Sequence, residues 1–176
     1  MRIVSGRWAG RDLLSPGGRV RPTAEVVRSA WLDRLNDVLD GARVLDLFAG
    51  TGALGLEALS RGAQQCDFVE NGPGALHALK ANVARFRLKG RTRVFRRDAL
   101  AFADRLEADA YDLCLADPPY TSSLARRLAE TWLERPFAAV LAVETDAAER
   151  LPRARRGVSA ERLVVDDTAV TIFRLA

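Results

Sequence analysis

The sequence predicts an α/β fold in which a mostly parallel β-sheet carries helices on both faces. From Arg43 onward, short apolar runs alternate with longer stretches of helical periodicity, as in consecutive strand–helix units. The length of 176 residues, with 48% hydrophobic and 28% charged residues, fits one folded domain with a sizeable core. Two apolar runs flanking Asp166 and Asp167 add an antiparallel hairpin at the end of the chain.

The predicted strands are short and apolar, and several end at an acidic residue or a turn. They span 44–48, 66–70, 93–95, 111–116 and 138–143, with 162–165 and 169–175 as the terminal hairpin. The predicted helices span 53–61, 73–87, 100–106 and 122–132, and Pro73 suits the first turn of the second of these. Ligands of such sheets bind beyond the carboxyl ends of the strands. The side chains predicted there are Asp46, Glu70, Asp98 and Asp117.

Residues 1–40 read differently and form a predicted N-terminal basic extension to a domain spanning 41–176. Residues 2–5 and 11–14 suit a small hairpin, and 24–39 suit an amphipathic helix with Thr23 as its N-cap. Residues 1–28 hold six arginines and two acidic residues, whereas the rest of the chain is balanced in charge. Such a basic segment is typical of a nucleic-acid contact, although a solvated surface segment has the same composition.

The composition also excludes several classes of protein. A run of about 18 apolar residues is lacking, so no transmembrane helix is expected. The first ten residues do not resemble a signal peptide, and we therefore expect a cytoplasmic protein. The cysteines Cys66 and Cys114 lack metal-site spacing, and His77 is the only histidine. We predict no metal site and no chemistry that needs a histidine base.

A glycine loop follows the first predicted strand. Residues 50–55, GTGALG, match the pattern GxGxxG between a strand and a helix, which lets the backbone approach a ligand closely. Glu70 ends the next strand, where a carboxylate can accept both hydroxyls of a ribose. The loop fits a nicotinamide dinucleotide, a flavin or S-adenosylmethionine, and a plain strand–helix turn is the structural alternative. Asp98 suits either a hydrogen bond from an adenine amino group or a helix N-cap.

The most specific feature is the run DPPY at residues 117–120, which directly follows a predicted strand. Two consecutive prolines cannot continue a sheet, so they form a stiff loop at the mouth of the pocket. The Asp117 carboxylate and the Pro118 carbonyl can both accept hydrogens from one exocyclic amine, while Tyr120 offers a ring for base stacking. Such a grip turns the lone pair of a conjugated amine toward a methyl donor. A proline-stiffened loop without a catalytic role is the alternative.

The runs DLFAGTGALGLEALSRG at residues 46–62 and DPPY at 117–120 look like those of class I S-adenosylmethionine-dependent N-methyltransferases. The segments RIVSGRWAGR at 2–11 and RPT at 21–23, with Val27 and Arg28, resemble the RsmD family of 16S rRNA guanine-N2 methyltransferases. The resemblance covers essentially the whole chain. It implies a Rossmann-like, seven-stranded sheet and methylation of one guanine N2 amine in 16S rRNA, within small-subunit particles or assembly intermediates. We expect a monomer without a membrane partner.

The resemblance also assigns roles to individual residues. It implies cofactor binding by Asp46, Phe48, Ala49, Gly50, Thr51, Gly52, Gly55, Glu70, Asn71, Asp98 and Ala99. It implies an acceptor site of Asp117, Pro118, Pro119 and Tyr120, and RNA contacts from Arg7, Arg11, Arg19, Arg21, Thr23 and Arg28. Family members usually carry another acid or amide close to the ribose-binding glutamate. Here Asn71-Gly72-Pro73-Gly74 follows, which leaves Asn71 as the only candidate.

Two other functions remain open from the sequence. The first is a DNA adenine or cytosine amine methyltransferase with the same DPPY chemistry, although a chain of this size has no inserted module to read a DNA site. The second is a non-catalytic RNA-binding assembly factor on a methyltransferase scaffold. The intact glycine loop, Glu70, Asp117 and Tyr120 argue against the second alternative.

Overall fold

In the computed structural model, one sheet organises the chain, and the structure describes residues 1–15, 22–120 and 123–176. Within these residues the sheet has seven strands. They are β1 (Arg43–Leu47), β2 (Gln65–Glu70), β3 (Thr92–Arg96), β4 (Tyr111–Ala116), β5 (Ala138–Asp146), β6 (Val158–Val165) and β7 (Thr168–Leu175). Their order across the sheet is β3-β2-β1-β4-β5-β7-β6.

Strands β1 to β5 run parallel, and β7 pairs antiparallel with both β5 and β6. The predicted mostly parallel sheet with a terminal hairpin is therefore confirmed. Strands β1 and β4 are buried because they lie in the middle of the sheet, whereas the edge strand β3 is half-exposed. Strand β5 continues three residues beyond its predicted end, because β7 pairs with it as far as Asp146.

The helices cover both faces of the sheet, as predicted. They are α1 (Pro22–Asp33), α2 (Asn36–Leu39), α3 (Ala53–Ser60), α4 (Pro73–Arg85), α5 (Ala99–Ala103) and α6 (Leu124–Glu134). Buried side chains of α1, α3 and α4 pack on one face, and those of α5 and α6 pack on the other. Pro73 occupies the first position of α4, where a missing backbone N–H costs nothing. The predicted start of α6 at Ser122 lies outside the described residues.

The helix predicted over 24–39 is two helices, and its predicted N-cap is wrong. Helix α1 already begins at Pro22, so Thr23 lies inside its first turn. The chain turns after Asp33, where the N–H groups of Arg34 and Leu35 donate to carbonyls three residues back. Leu35 is fully buried at this turn. Apolar periodicity alone does not reveal the turn, because Leu35 continues the pattern of the preceding helix.

The predicted N-terminal hairpin is present but shorter than predicted: Arg2 and Asp12 form one antiparallel bridge, and the N–H groups of Ile3 and Leu13 donate to the carbonyls of Arg11 and Met1. A 3-10 turn, Gly6–Trp8, lies between the two arms. The segment is also held by α3, because the N–H groups of Val4 and Ser5 both donate to Glu57 at 2.8 and 2.7 Å. Residues 1–14 thus lie along α3 and share its hydrophobic core.

None of the helices in the described part of the chain combines the length and the apolar character that a membrane crossing requires.

Candidate active site

The glycine loop lies at the carboxyl end of β1, where the sequence predicts it. Gly50 and Gly52 adopt left-handed backbone conformations with φ of 56° and 82°, which glycine tolerates without steric cost. Phe48, directly after β1, also has a positive φ of 59°, which is unusual for a bulky residue. Such conformations concentrate at functional sites. A side chain on Gly50 would meet no protein atom within 4 Å, so the loop backbone there faces open space.

Asp46 supports this loop from beneath. Its side chain is buried, and its Oδ2 accepts a hydrogen bond of 2.9 Å from the N–H of Gly55. Its Oδ1 is buried and has no hydrogen-bond partner among the residues that the structure describes. Burial raises the pKa of Asp46 well above its usual value, and the charges of Asp117 and Glu70 add to this effect. The structure thus gives Asp46 a role in shaping the loop, and its direct cofactor contact remains a prediction.

Glu70 connects the end of β2 to the glycine loop. Its Oε2 accepts a hydrogen bond of 2.8 Å from Gly50, and its Oε1 accepts bonds from the N–H groups of Asn71 and Gly72 at 2.9 and 2.7 Å. These three donors hold the carboxylate at the rim of a cleft. A fixed carboxylate at this position is suited to accepting ribose hydroxyls.

The cleft beside Glu70 brings together most of the remaining predicted cofactor residues. Asn71, Asp98 and Ala99 line it, and Phe48 and Pro119 close its sides. The Oδ1 of Asp98 accepts a 2.9 Å hydrogen bond from Ala101 and so caps α5, which confirms the helix-cap interpretation. Asp98 is also exposed and lines the cleft, so the hydrogen bond to Ala101 does not block the predicted adenine contact.

A second cleft shares Phe48 with the first and has a volume of about 300 Å³. Ala49, Gly50 and Thr51 line it on one side, and Asp117 lines it on the other. A third opening joins Asp117, Pro118, Pro119 and Tyr120 to Phe48 and Glu70. The structure thus gathers the predicted acceptor residues next to the predicted cofactor residues.

Asp117 has an acidic neighbour that the sequence analysis did not identify. Ala116 pairs with Val143 in the parallel register of β4 and β5, so Asp117 and Glu144 follow side by side on adjacent strands. Such strands lie about 4.8 Å apart. Although one face of Asp117 opens to the cleft, the surrounding protein excludes much of the water. This desolvation, together with the charge of Glu144, raises the pKa of Asp117 to about 7.

Tyr120 is anchored by its hydroxyl, while its ring remains accessible. The hydroxyl donates a short hydrogen bond to Oε1 of Glu144 and lies 3.2 Å from Oγ1 of Thr168. Burial and the bond to Glu144 raise the pKa of Tyr120, so the phenol stays protonated as a donor. The residue is 40% exposed, which leaves ring surface available for stacking on a base. Glu144 therefore lies beside Asp117 and binds Tyr120.

The predicted RNA-contacting residues lie in different places. Arg7 and Arg11 are exposed at the amino ends of the strands, on the side of the sheet opposite the clefts around the glycine loop and Asp117. Arg28 is only 5% exposed, and its Nε lies 3.6 Å from Oε2 of the buried Glu57. In this arrangement Arg28 forms part of a cleft wall and is not available for a surface phosphate contact. Thr23 lies in α1, and Arg19 and Arg21 are outside the described residues.

Glu144 and Met1 are site residues that the sequence analysis missed. Glu144 directly follows the predicted strand 138–143, so the same rule that selects Glu70 and Asp117 would have selected it. Met1 lines the cleft beside the glycine loop, and its Sδ lies 3.7 Å from Oγ1 of Thr51. Its position depends on how residues 1–14 pack against α3, for which the sequence holds no local signal.

The residues present fit an S-adenosylmethionine site. The backbone at Gly50 is open to the cleft, so a ligand can approach the loop closely. The Glu70 carboxylate is held at the rim by three backbone donors, and Asp98 and Ala99 line the far end of the adjoining cleft. The open glycine loop, the Glu70 carboxylate and the cleft beside Asp98 thus follow one another in the order that an elongated nucleoside requires.

Comparisons with known proteins agree with this geometry. A family model described as conserved hypothetical protein 95 matches residues 1–172. The Bacillus subtilis (strain 168) protein YlbH is 38% identical over 132 residues, which are 73% of this chain and 71% of that protein. Ribosomal RNA small subunit methyltransferase D of Escherichia coli (strain K12) is 37% identical over 127 residues, or 70% of this chain and 62% of that protein. This chain thus spans less than two thirds of the length of that Escherichia coli relative.

A solved structure of yhhF from Escherichia coli has a TM-score of 0.86 and 30% identity, and the match covers 99% of this chain and 97% of that chain. Fold and site together define a class I S-adenosylmethionine-dependent methyltransferase. The chain belongs to the family matched by the conserved hypothetical protein 95 model, which is the RsmD family. The family resemblance predicted from the sequence is therefore confirmed.

Proposed function

We propose that the protein methylates the exocyclic N2 amine of a guanine in 16S rRNA of the small ribosomal subunit, with S-adenosylmethionine as methyl donor. The observation that carries the proposal is the Asp117–Glu144 pair, which lies at the carboxyl edge of the sheet beside the glycine loop. The name of the Escherichia coli relative supports ribosomal RNA of the small subunit as the substrate.

The amine chemistry follows from Asp117 and its loop. S-Adenosylmethionine, when bound, supplies an electrophilic methyl group. The Asp117 carboxylate and the Pro118 carbonyl would accept the two N2 hydrogens, which turns the nitrogen lone pair out of conjugation with the ring. Because the pKa of Asp117 is raised to about 7, its carboxylate is also a competent acceptor for the proton that the methylated nitrogen releases.

Glu144 supports guanine as the target base. Guanine carries an N1–H donor directly beside its N2 amine, whereas adenine carries an N1 acceptor beside its N6 amine. A carboxylate next to Asp117 can accept the guanine N1–H but would repel the adenine N1 lone pair. Tyr120, held by Glu144, would stack on the same base.

The two alternatives are less well supported. A DNA amine methyltransferase would need a surface that reads a DNA sequence, and the described residues form one sheet with its helices, the N-terminal segment and short connections. A non-catalytic assembly factor has no need for a glycine loop open to a cleft beside a paired Asp117 and Glu144. We further propose that the protein acts in the cytoplasm, as a monomer, on small-subunit particles or their assembly intermediates.

The test is a methylation assay with radiolabelled S-adenosylmethionine. Small-subunit particles that lack the modification are incubated with the protein, and the labelled nucleosides are identified after digestion of the RNA. We expect N2-methylguanosine in 16S rRNA, and the Asp117→Ala variant is the matched control. Label in N6-methyladenosine, or label only in added DNA, would contradict the proposal. Cofactor binding without label in any acceptor would favour the assembly-factor alternative.

A further inference from the structure

Another cleft, which we call the arginine cleft, lies at the amino ends of the parallel strands, opposite the candidate active site. Trp8 lines this cleft, and its backbone N–H donates a hydrogen bond to Oγ of Ser60, the last residue of α3. Arg91, also in its lining, directly precedes β3. Helix ends and strand starts meet at the amino edge of a parallel sheet, so this cleft is separate from the cofactor loop. Its lining residues are Arg7, Trp8, Arg11, Arg85, Phe86, Arg87, Leu88 and Arg91.

The five arginines of this cleft form an unneutralised positive surface. No acidic residue lines the cleft, and the ion pairs found in the described part of the chain involve other arginines. Arg7, Arg11, Arg85 and Arg87 are exposed. By contrast, the nearby Arg61 is paired with Asp33 and Glu57. The concentration of unpaired guanidinium groups therefore calls for an anionic partner.

Two of these arginines are held in place by the protein. The guanidinium carbon of Arg11 lies 4.4 Å from the centre of the Phe86 ring. The Nε of Arg91 donates to the carbonyl of Gln64 at 2.8 Å, and its Nη2 donates to the carbonyl of Ala63. Fixed guanidinium groups lose less conformational entropy on binding, and their planar donors match phosphate oxygens.

We propose that the arginine cleft binds the phosphate backbone of the rRNA substrate at a point remote from the methylated guanine. This inference rests on the proposed function, which supplies the RNA. Strand β2 has six residues, so about 20 Å separates the two edges of the sheet. An RNA that reaches both clefts is much longer than the few nucleotides that fill the active site. The cleft thus favours folded rRNA over short oligonucleotides.

Sequence position alone does not indicate this cleft. Arg7 and Arg11 belong to the N-terminal segment, whereas Arg85, Arg87 and Arg91 lie at and after the end of α4. The packing of Trp8 against Phe86, with ring centres 5.2 Å apart, brings the two groups together.

The test compares three double variants in binding to unmethylated small-subunit particles across a range of NaCl concentrations. Arg85→Ala with Arg87→Ala removes two charges from the cleft. Arg155→Ala with Arg156→Ala removes two exposed charges next to β6, at the other lateral end of the sheet. Arg85→Lys with Arg87→Lys keeps the charge. We expect the first variant to bind about tenfold more weakly near 0.15 M salt, with a salt slope reduced by about 1.5.

The other two variants should bind within about threefold of the unchanged protein. Thermal unfolding and S-adenosylmethionine affinity should be the same for all three, which excludes misfolding as the cause. Equal binding of the cleft variant and the Arg155/Arg156 control would overturn the proposal. If the Arg85→Ala/Arg87→Ala variant bound polyglutamate more weakly but bound particles as tightly as the unchanged protein, the cleft would be assigned to an acidic protein instead.

Binding is measured without methyl transfer, so its outcome is independent of the proposed reaction. Particles that bind through the cleft but yield no N2-methylguanosine would contradict the proposed function alone. As a further check, the cleft variant should lose kcat/KM on particles by about tenfold while its kcat/KM on a short single-stranded RNA stays the same. Equal losses on both substrates would contradict a remote contact.

Discussion

At the scale of single residues, the proposed active site contains two carboxylates at the ends of adjacent strands. Asp117 and Glu144 lie side by side, and Tyr120 binds Glu144 through its hydroxyl. Burial raises the pKa of both carboxylates, and each makes ionisation of the other less favourable. The pair is therefore expected to titrate as a unit within the range in which the protein works.

The raised pKa predicts the pH dependence of methyl transfer. Amine binding needs the ionised Asp117, so kcat/KM should rise as the pH increases through about 7. The Glu144→Gln variant removes the negative neighbour, which lowers the pKa of Asp117 and moves this rise to lower pH. The measurement is kcat/KM between pH 5.5 and 9, with the exposed Glu134→Gln as the control variant. An unshifted profile in Glu144→Gln would show that Glu144 does not influence the titrating group.

Replacing Asp117 should lower the rate of methyl transfer without changing the affinity for S-adenosylmethionine. Asp117→Ala removes one of two proposed amine acceptors, and the loss of one such preorganised contact typically costs about 100-fold in kcat. S-Adenosylmethionine affinity should change little, because Glu70 and the glycine loop are untouched. Single-turnover kinetics and calorimetric titration of the cofactor measure the two quantities. A parallel loss of cofactor affinity would place Asp117 in the cofactor site.

At the scale of elements, the glycine loop requires close packing of α3 on β2. A side-chain carbon on Gly55 would lie 2.5 Å from both Sγ of Cys66 and a ring carbon of Phe68. Gly55 also donates its N–H to Asp46, so its position sets the loop geometry. Gly55, the third residue of α3, is therefore a glycine because β2 approaches the helix closely, whereas Gly50 and Gly52 before the helix adopt left-handed conformations.

Two helical glycines allow a matched test of this packing. Gly55→Ala should lower the free energy of unfolding by about 1–3 kcal/mol, because the added methyl group overpacks the core. In Gly74→Ala, in the first turn of α4, the added methyl group meets no atom of the described residues within 4 Å. This substitution should raise the free energy of unfolding by about 0.4–1 kcal/mol. Urea unfolding of both variants measures the difference. Equal effects would mean that α3 moves away from β2 without cost.

At the scale of the whole molecule, the N-terminal segment connects the two clefts. Met1 lines the cleft beside the glycine loop, and Trp8 lines the arginine cleft at the other edge of the sheet. Between them, buried Glu57 accepts hydrogen bonds from Val4 and Ser5. Glu57 also faces the guanidinium groups of Arg28 and Arg61. A single carboxylate therefore holds the segment, α1 and α3 together.

Glu57→Gln tests this attachment. The substitution keeps the shape but removes the negative charge that acts most strongly on the buried Arg28, and breaking a buried ion pair typically costs about 3–5 kcal/mol. We expect a loss of this size in the free energy of unfolding, and earlier proteolysis within residues 1–15. Glu134→Gln, on the exposed side of α6, is the control. Unchanged stability would show that the segment's other hydrogen bonds, such as those of Trp8 and Leu14, and its apolar contacts are sufficient to hold it.

The strand–helix alternation, the glycine loop and the DPPY run could be predicted from the sequence because each depends on residues close together in the chain. Apolar periodicity identified β1, β2 and β4 nearly to the residue, and Gly50, Glu70 and Asp117 stand at strand ends as expected. The division of the predicted helix after Asp33 could not be predicted in this way, since Leu35 preserves the apolar pattern while the backbone turns.

The sequence by itself determined the fold class and the family, and it identified residues of the proposed chemistry at the carboxyl edge of the sheet. Only the tertiary structure decided which distant groups meet: Glu144 beside Asp117, Arg28 buried against Glu57, and Arg11 stacked on Phe86. The physical reason is that local patterns report backbone preference and burial, which neighbouring residues specify. Pairing across strands and packing between helices depend instead on how the whole chain closes around one core.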